Sequence, residues 1–285
     1  MPGARTHPEI THRRSGKASA ATALHAVGTA AARRGPRLLR RCTGLILIIA
    51  LWQYSAADHW WHGNIPSPGE VWAAFTRLQE TGLITGNLSV SLHRVARGFA
   101  LGAGAGLAMG TAAGLFRIGE DLFDPPYQAI RMVPVAALVP LFIVWFGIGD
   151  TAMTALISFA TFGPLYLNTY HGIRNIDVRY VEAARSFGLG QVRVIGHVVL
   201  PGALPHILVG IRQAVAVAWF SLVIAEAIKT DAGLGYLLTD AQQFLRTDQM
   251  FVVLVIYATL GLLADVGLRL LERVALAWHR GIGVA

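Results

Sequence analysis

Long stretches without a charged residue alternate with short polar segments along most of the chain. Several stretches approach the roughly 20 residues that a helix needs to cross a bilayer, and the shorter ones reach that length with one flanking charge. The uncharged stretches are residues 42–57, 98–116, 132–149, 151–172, 213–225 and 250–264. The pattern predicts an all-α, polytopic membrane protein with six transmembrane helices, at about 38–57, 92–116, 130–149, 151–171, 204–228 and 250–271, so that 38–285 form one transmembrane domain.

Composition and charge agree with a membrane location. Charged residues make up 14% of the chain and hydrophobic residues 54%, whereas charged residues are about 25% of a soluble domain. The net charge of +8 comes from basic residues before the first span and in the predicted inner loops, 117–131 and 171–200. The positive-inside rule therefore places both termini in the cytoplasm of a cell-membrane protein. The basicity reflects topology, with the lipid bilayer and not nucleic acid as partner.

The amino-terminal residues 1–37 are basic and rich in Ala, Arg, Ser and Thr, which predicts a disordered cytoplasmic tail. A cleaved signal peptide is the alternative for the first span, but the tail is long and five more spans follow. The single cysteine, Cys42, excludes an internal disulfide. After the first span, Ser67, Pro68 and Glu70 predict the start of an amphipathic helix that lies at the outer membrane surface.

Small and polar residues mark particular faces of the predicted spans. Gly98, Gly102, Gly106, Gly110 and Gly114 recur at every fourth position, which lets another helix approach closely. Packing within one subunit is favoured over a seam between two subunits. Prolines and polar residues inside spans are costly unless they line a cavity or are paired, and they give the candidate residues of a translocation path or gate. These candidates are Arg94, Arg131, Pro134, Pro140, Asn168, Arg212, Glu226 and Asp265.

Two hypotheses concern the charged members of this set. Arg212 and Asp265 fall at similar depth in spans five and six, so we expect an ion pair between them near the inner gate, with snorkelling of each side chain as the alternative. Glu226 and Arg94 fall near the outer ends of spans five and two. Arg94 could contact an anionic solute, although contact with a binding protein or with lipid headgroups is favoured.

The segment 177–199 is a polar interruption between the fourth and fifth predicted spans. Asp177 is suited to cap a helix through Ser186, and Gly188 is suited to end it in a left-handed conformation. A second short helical piece is expected from residue 191 to 199, ending where the chain re-enters the membrane at Leu200 and Pro201. Small and charged residues of the first helix would form a docking surface, and an ordinary solvated hairpin is the alternative.

The same segment resembles the signature of permease subunits of ATP-binding-cassette importers. That signature joins Glu-Ala-Ala, a glycine and an aliphatic residue before Leu-Pro. Its residues here are Glu182, Ala183, Ala184, Gly188, Val198, Leu200 and Pro201, with Val198 in place of the usual isoleucine. In that family the segment is a coupling helix that lies in a groove of the ATPase subunit, and Arg185 belongs to the same surface. The resemblance covers about 67–280.

Further motifs resemble the nitrate, sulfonate and taurine branch of these importers. They are residues 91–95 with Gly98 and Phe99, residues 134–149, and residues 225–227 with 233–238. The resemblance implies the type I importer permease fold, an external substrate-binding protein, two ATPase subunits and a second permease copy, by preference an identical one. The implied solute is a small anion such as an aliphatic sulfonate, taurine or nitrate; bicarbonate, cyanate and a thiamine-precursor pyrimidine stay open.

The chain carries no motif for catalysis. A phosphate-binding loop needs a glycine before a lysine and Ser or Thr after it, but the two lysines lie in Gly16-Lys17-Ala18 and Ile228-Lys229-Thr230. We therefore expect no enzyme activity and no bound cofactor, with ATP and Mg²⁺ on the partner ATPase, and no metal site. The competing class, an ATP-independent secondary transporter, would show inverted repeats with matching broken helices. We find no convincing internal repeat.

Overall fold

The computed structural model describes residues 43–44, 46–56, 65–228 and 231–277, and every regular element within them is helical. The predicted tail at 1–37 and Cys42 lie outside the described residues. Residues up to Ser67 and residues from Pro68 form separate compact units. The helices are α1 Ile46–Ala56, α2 Pro68–Glu80, α3 Leu83–Leu115, α4 Arg117–Ile130, α5 Val135–Phe146, α6 Asp150–Arg174, α7 Val178–Ser186, α8 Gln191–Val194, α9 Leu200–Ile228, α10 Leu234–Gln243 and α11 Thr247–Ala275.

Three helical stretches of the described residues are long and apolar enough to cross a membrane. They are Leu83–Leu115, Gln191–Ala227 and Thr247–Ala275, and the bent pair α4 and α5 would make a fourth if it forms one span. α1 is a shorter apolar helix, and α6 carries more polar residues along its 25-residue length. The all-α prediction is confirmed, whereas the count of six spans stays a prediction.

α3 packs along α6 through the predicted glycine face. A Cβ atom added at Gly110 would lie 2.7 Å from the carbonyl oxygen of Tyr166. One added at Gly102 would collide with the carbonyl oxygen of Ser158 and the hydroxyl of Thr161. The missing side chains bring two backbones together, as in membrane helix pairs generally. The glycine face of α3 therefore meets a helix of the same chain.

Residues 117–130 of the predicted inner loop form helix α4, and the placement of this segment on the inner side stays a prediction. Pro125 and Pro126 lie inside this helix, where each removes one backbone donor. Their exposed position leaves the freed carbonyl groups accessible to other donors. The chain then turns by 102° between α4 and α5, and Pro134, with φ of −59° and ψ of 128°, occupies the N-cap position of α5 without a side-chain hydrogen bond. The break supplies the kink that the prolines predict, but it lies before the apolar helix.

The 177–199 segment follows its sequence signals closely. Asp177 caps α7 and accepts a hydrogen bond from the backbone N–H of Arg179 at 2.9 Å, as predicted. Gly188 has a φ of +79°, which confirms it as a left-handed terminator. α8 continues through a π-helical turn, Ile195–Val199, directly into α9. The expected end of this piece before Leu200 is therefore wrong.

The π-helical turn explains why the helix continues through a Leu-Pro pair. The backbone N–H of Leu200 donates to the carbonyl of Ile195, five residues back. Proline clashes with the carbonyl four residues before it in a regular helix, and a wider turn just ahead of Pro201 relieves that contact.

Candidate functional site

A buried ion pair joins α3 to the end of α9. Arg94 is 6% exposed and Glu226 is 1% exposed. The Nη1 atom of Arg94 donates to Oε1 of Glu226 at 2.8 Å and to the carbonyl oxygen of Ala232 at 2.6 Å. Its Nε atom donates to Oδ1 of Asp150, the first residue of α6, at 2.8 Å. One guanidinium thus ties together α3, α6, α9 and the turn before α10.

The same cluster caps the amino terminus of α10 with side chains from other helices. Asn87 Oδ1 accepts from the backbone N–H of Gly233 at 2.7 Å, and Ser91 Oγ accepts from that of Leu234 at 2.9 Å. Glu226 Oε2 accepts from the N–H of Gly235 at 2.9 Å. A carboxylate at a helix amino terminus is favoured by the helix dipole. We call these residues, with Arg94 and Asp150, the Arg94 cluster.

The sequence predictions named Arg94 and Glu226 separately, and the structure brings them together. They missed Asn87, Ser91 and Asp150. A partial signal exists, because Ser91 lies in the 91–95 motif and the 233–238 motif supplies the capped N–H groups. Nothing local in either motif indicates that the two touch.

The predicted ion pair between Arg212 and Asp265 is wrong. Arg212 Nη2 donates to Oε2 of Glu272 at 2.9 Å, and Asp265 accepts from Nε of Arg269 at 2.7 Å. Arg269 lies one turn beyond Asp265 on the same helix and reaches it without any movement of α11. Glu272 lies two turns beyond Asp265 and therefore takes its place as the partner of Arg212.

Asn168 connects α6 to α9. Its Nδ2 atom donates to the carbonyl of Pro164 at 2.7 Å and to Oε1 of Gln213 at 2.9 Å. The first bond satisfies a carbonyl one turn earlier on α6, and Gln213 itself is exposed. Polar side chains at such positions in membrane helices generally face a cavity or a partner. Pro140, the other predicted proline of α5, is exposed.

A cavity of 370 Å³ is lined by residues of α3, α4, α5, α6 and α9. Its walls are mainly apolar and aromatic, and Arg131 and Tyr127 supply the charged and hydroxyl groups. Arg131 is exposed, and it makes no ion pair within the residues that the structure describes. Pro164 also lines the cavity, one turn from Asn168. Pro134 lies in the break beside it.

The 177–199 segment presents unpaired apolar and charged side chains. Ala184 is buried against Ile173, Val194 and Val199, whereas Glu182, Ala183 and Arg185 are exposed. The apolar side chains exposed on this segment are Val178 at 63%, Tyr180 at 67%, Phe187 at 84% and Val192 at 84%. Four exposed apolar side chains within 15 residues make this segment a candidate interaction surface.

The described residues hold no group of His, Cys, Asp and Glu side chains that could bind a metal ion. Within the part of the chain that the structure describes, Arg94 and Glu226 form the one ion pair buried on both sides, and Asp150, the second carboxylate on Arg94, is exposed. Their hydrogen bonds are directed at one another and at the backbone of α10. The geometry therefore gives a membrane protein with long apolar helices, an internal brace and a projecting surface.

These features define a class, the polytopic membrane transport proteins. Residues 102–275 match the family described as the binding-protein-dependent transport system inner membrane component. The chain belongs to this family, and it is the permease component of an ATP-binding-cassette importer located in the inner membrane.

Two relatives and one solved structure show how close the match is. The chain is 46% identical over 233 residues to the putative aliphatic sulfonates transport permease protein SsuC of Escherichia coli strain K12, covering 81% of this chain and 89% of the relative. It is 36% identical over 193 residues to the taurine transport system permease protein TauC of the same strain, covering 68% and 70%. Its fold resembles an amino acid ABC transporter crystallised with histidines, with a TM-score of 0.58 at 19% identity over 70% of this chain and 97% of that one.

Proposed function

We propose that two identical copies of this chain form the path by which a small aliphatic sulfonate or taurine crosses the cell membrane. An external binding protein delivers the solute, and two separate ATPase subunits drive the cycle. Both termini and the 177–199 segment face the cytoplasm in this arrangement, and the Arg94 cluster lies toward the outside. Nitrate, bicarbonate, cyanate and a thiamine-precursor pyrimidine are the alternative solutes.

The observation that carries the solute class is the similarity to the sulfonate and taurine permeases over most of their length. The bicarbonate transport system permease protein CmpB of Synechococcus elongatus matches less well, at 32% identity over 61% of this chain. A sulfonate carries a fixed negative charge at all physiological pH values. It would need only a weak site within the membrane, since a tight site would retain it.

The observation that carries the coupling role is the surface of the 177–199 segment. Glu182 and Arg185 have no partner in the chain that would occupy their charges, within the described residues. Docking would bury the exposed apolar side chains of Phe187 and Val192 against the partner and remove them from water. ATP and Mg²⁺ then bind to the ATPase, and closure of the two ATPases moves the two 177–199 segments together. That motion turns the solute path outward, and hydrolysis resets it.

Purification of the tagged chain from its own membranes in mild detergent tests the coupling role. We expect an ATPase with a phosphate-binding loop to co-purify with the wild type and to be lost from Glu182→Arg. Glu80→Arg is the matched control, because Glu80 is equally exposed and lies on α2, on the opposite side in the proposed topology. Recovery of the chain without any ATPase, under conditions that preserve other such complexes, would favour the ATP-independent secondary transporter.

Uptake by the reconstituted complex tests the solute. Proteoliposomes that contain the complex and ATP are supplied with the loaded binding protein, and labelled taurine and ethanesulfonate are compared with nitrate and bicarbonate. We expect ATP-dependent uptake of the sulfonates. Uptake of nitrate or bicarbonate alone would replace the sulfonate with that anion and leave the importer role intact.

A further inference from the structure

We infer that the cavity lined by α3, α4, α5, α6 and α9 is the site within the membrane where the organic part and the charge of the solute bind together. The ligand class is a short alkyl chain that carries a sulfonate group. This inference rests on the proposed function for the choice of solute, but the site itself is argued from its lining.

The cavity has the size and surface of a small-molecule site. Its volume of 370 Å³ lies near the lower end of the roughly 300–1,000 Å³ typical of ligand pockets. Apolar wall residues come from five helices, and they include Met109, Leu122, Val135, Phe159 and Val217. Such a surface accepts an alkyl chain and gives no hydrogen bond to a polar solute body.

The charge of the lining has one sign. Arg131 is the charged residue that reaches the cavity, and no carboxylate lines it. Arg131 follows the last residue of α4 at the 102° turn, and it is one of the residues that line the cavity. A guanidinium binds the oxygens of an oxyanion through several donors at once. The cavity therefore combines one cation with an apolar interior, which is complementary to an alkanesulfonate.

The hydroxyl of Tyr127 provides a second polar group at a fixed place. A Cβ atom added at Gly163 would collide with this hydroxyl, and the ring of Tyr127 lies 4.9 Å from that of Tyr166 and 5.9 Å from that of Phe162. The missing side chain at Gly163 admits Tyr127 to the wall. Tyr127 and Arg131 lie one turn apart on α4, so they can approach the same anion.

The position of the cavity suits a transient site. It lies at the break between α4 and α5, beside Pro164, whose carbonyl is held by Asn168. Asn168 in turn bonds to the exposed Gln213, and Val217, one turn beyond Gln213, lines the cavity. Polar and apolar faces of α6 and α9 thus adjoin, which is what a path for an amphiphilic anion requires.

Thiol labelling of the intact complex in lipid nanodiscs tests the site directly. In a Cys42→Ser background, Val133→Cys places a thiol in the lining, and Val209→Cys places the control thiol on α9 away from it. The two valines are similarly exposed in the chain, at 41% and 46%, and the ratio of the two reagents at each position cancels a difference in access that affects both reagents equally. The probes are the methanethiosulfonate reagents with an anionic sulfonatoethyl group and with a cationic trimethylammonioethyl group, and modification of this chain is followed by mass spectrometry.

We expect the ratio of anionic to cationic labelling rates to be about tenfold higher for Val133→Cys than for Val209→Cys, the scale of one partly screened charge contact. Arg131→Ala should remove this preference, and butanesulfonate should slow labelling of Val133→Cys only. Equal ratios at the two positions, or no protection by butanesulfonate, would overturn the inference and leave the cavity to lipid chains.

Uptake then separates this inference from the proposed function. We expect Arg131→Ala to lower sulfonate uptake at least about tenfold, Arg131→Lys to retain most of it, and Arg117→Ala, at the other end of α4, to behave as the wild type. Val217→Phe should lower uptake of butanesulfonate more than that of ethanesulfonate, with Val209→Phe as its control. Normal uptake by all these variants would contradict the solute site in the cavity and leave the proposed transport function intact. If butanesulfonate protects Val133→Cys but no sulfonate is taken up, the cavity binds sulfonates, and the proposal that sulfonates are the transported solute is contradicted.

Discussion

The Arg94 cluster and the 177–199 segment differ in whether their charged side chains are buried and paired. In the cluster, Arg94 and Glu226 are almost fully buried, and each finds partners within the chain. In the segment, Glu182 and Arg185 are exposed beside apolar side chains such as Phe187, which is 84% exposed. Buried charges persist only when they are paired and hydrogen-bonded. The central charges of the cluster are therefore satisfied within the chain, whereas the exposed groups of the segment remain available for contacts with a partner.

This difference indicates which region can bind a moving partner and which region holds its helices in fixed positions. A surface with open contacts can gain a partner without losing any contact within the chain. A satisfied cluster cannot change without leaving a buried charge unpaired, so the helices that it joins move together. We expect α3, α6, α9 and the start of α10 to behave as one body during transport.

Removing the cation of the cluster gives the largest expected effect. Arg94→Met leaves the buried carboxylate of Glu226 with neutral donors only, which costs about 3–5 kcal/mol when one partner of a buried pair is removed. The measurement is the unfolding temperature of the complex in detergent, followed by size-exclusion chromatography after heating.

Arg97→Met is the control, since Arg97 is exposed on the same helix and makes no ion pair in the described residues. The double variant Arg94→Met with Glu226→Gln should recover part of the loss, because it removes the stranded charge. Equal melting of Arg94→Met and Arg97→Met would contradict the idea of a fixed brace.

The glycine seam that continues from the cluster gives the next effect. Gly102→Ala forces a methyl group against the carbonyl of Ser158 and the hydroxyl of Thr161, and overpacking of this kind costs about 1–3 kcal/mol. Gly104→Ala is the matched control, because nothing lies within 4 Å of its added Cβ. Alanine is the better helix former, so Gly104→Ala should melt at or above the wild-type temperature. A seam between two subunits, and not within one, would instead lower the dimer fraction in Gly102→Ala without changing monomer stability.

The features that could be predicted from the sequence are those that depend on interactions between residues close together in the chain. The capping by Asp177 and the φ of Gly188 were predictable, because each depends on a few neighbouring residues. The start of α2 at Pro68 was predictable for the same reason. The glycine face was visible as a period of four, although its partner helix was not.

The misses involve competition between distant groups. Arg94 and Glu226 are 132 positions apart, and no local pattern pairs them. The Arg212 prediction chose the right helix and the wrong carboxylate, because Arg269 already satisfies Asp265. The prediction of 117–131 as an inner loop followed from its position between two spans and did not include helix α4, whose Gly119 packs against α3.

The cap of α7 gives the smallest effect and tests the exposed side of the comparison. The side-chain hydrogen bond from Arg179, together with the backbone N–H of Arg179, lowers the pKa of Asp177 below its ordinary value. A carboxyl whose pKa is lowered in the folded state stabilises that state above its unfolded pKa of about 3.9 and loses this contribution as the pH falls through the folded value. Local stability of α7 should therefore be constant from about pH 5 to pH 8 and fall below about pH 4.

Hydrogen exchange of the α7 amides in nanodiscs measures this change, with Asp177→Asn as reference at each pH to cancel the intrinsic rate. Asparagine keeps a side-chain acceptor for the N–H of Arg179 but cannot titrate, so the wild type should exchange slightly more slowly at neutral pH and lose that advantage in acid. Asp177→Ala should exchange faster at every pH. A difference between wild type and Asp177→Asn that persists unchanged at about pH 3 would show that the cap does not depend on the charge. The effect is small because water already solvates this segment, and the same exposure leaves its surface free for the ATPase that we propose.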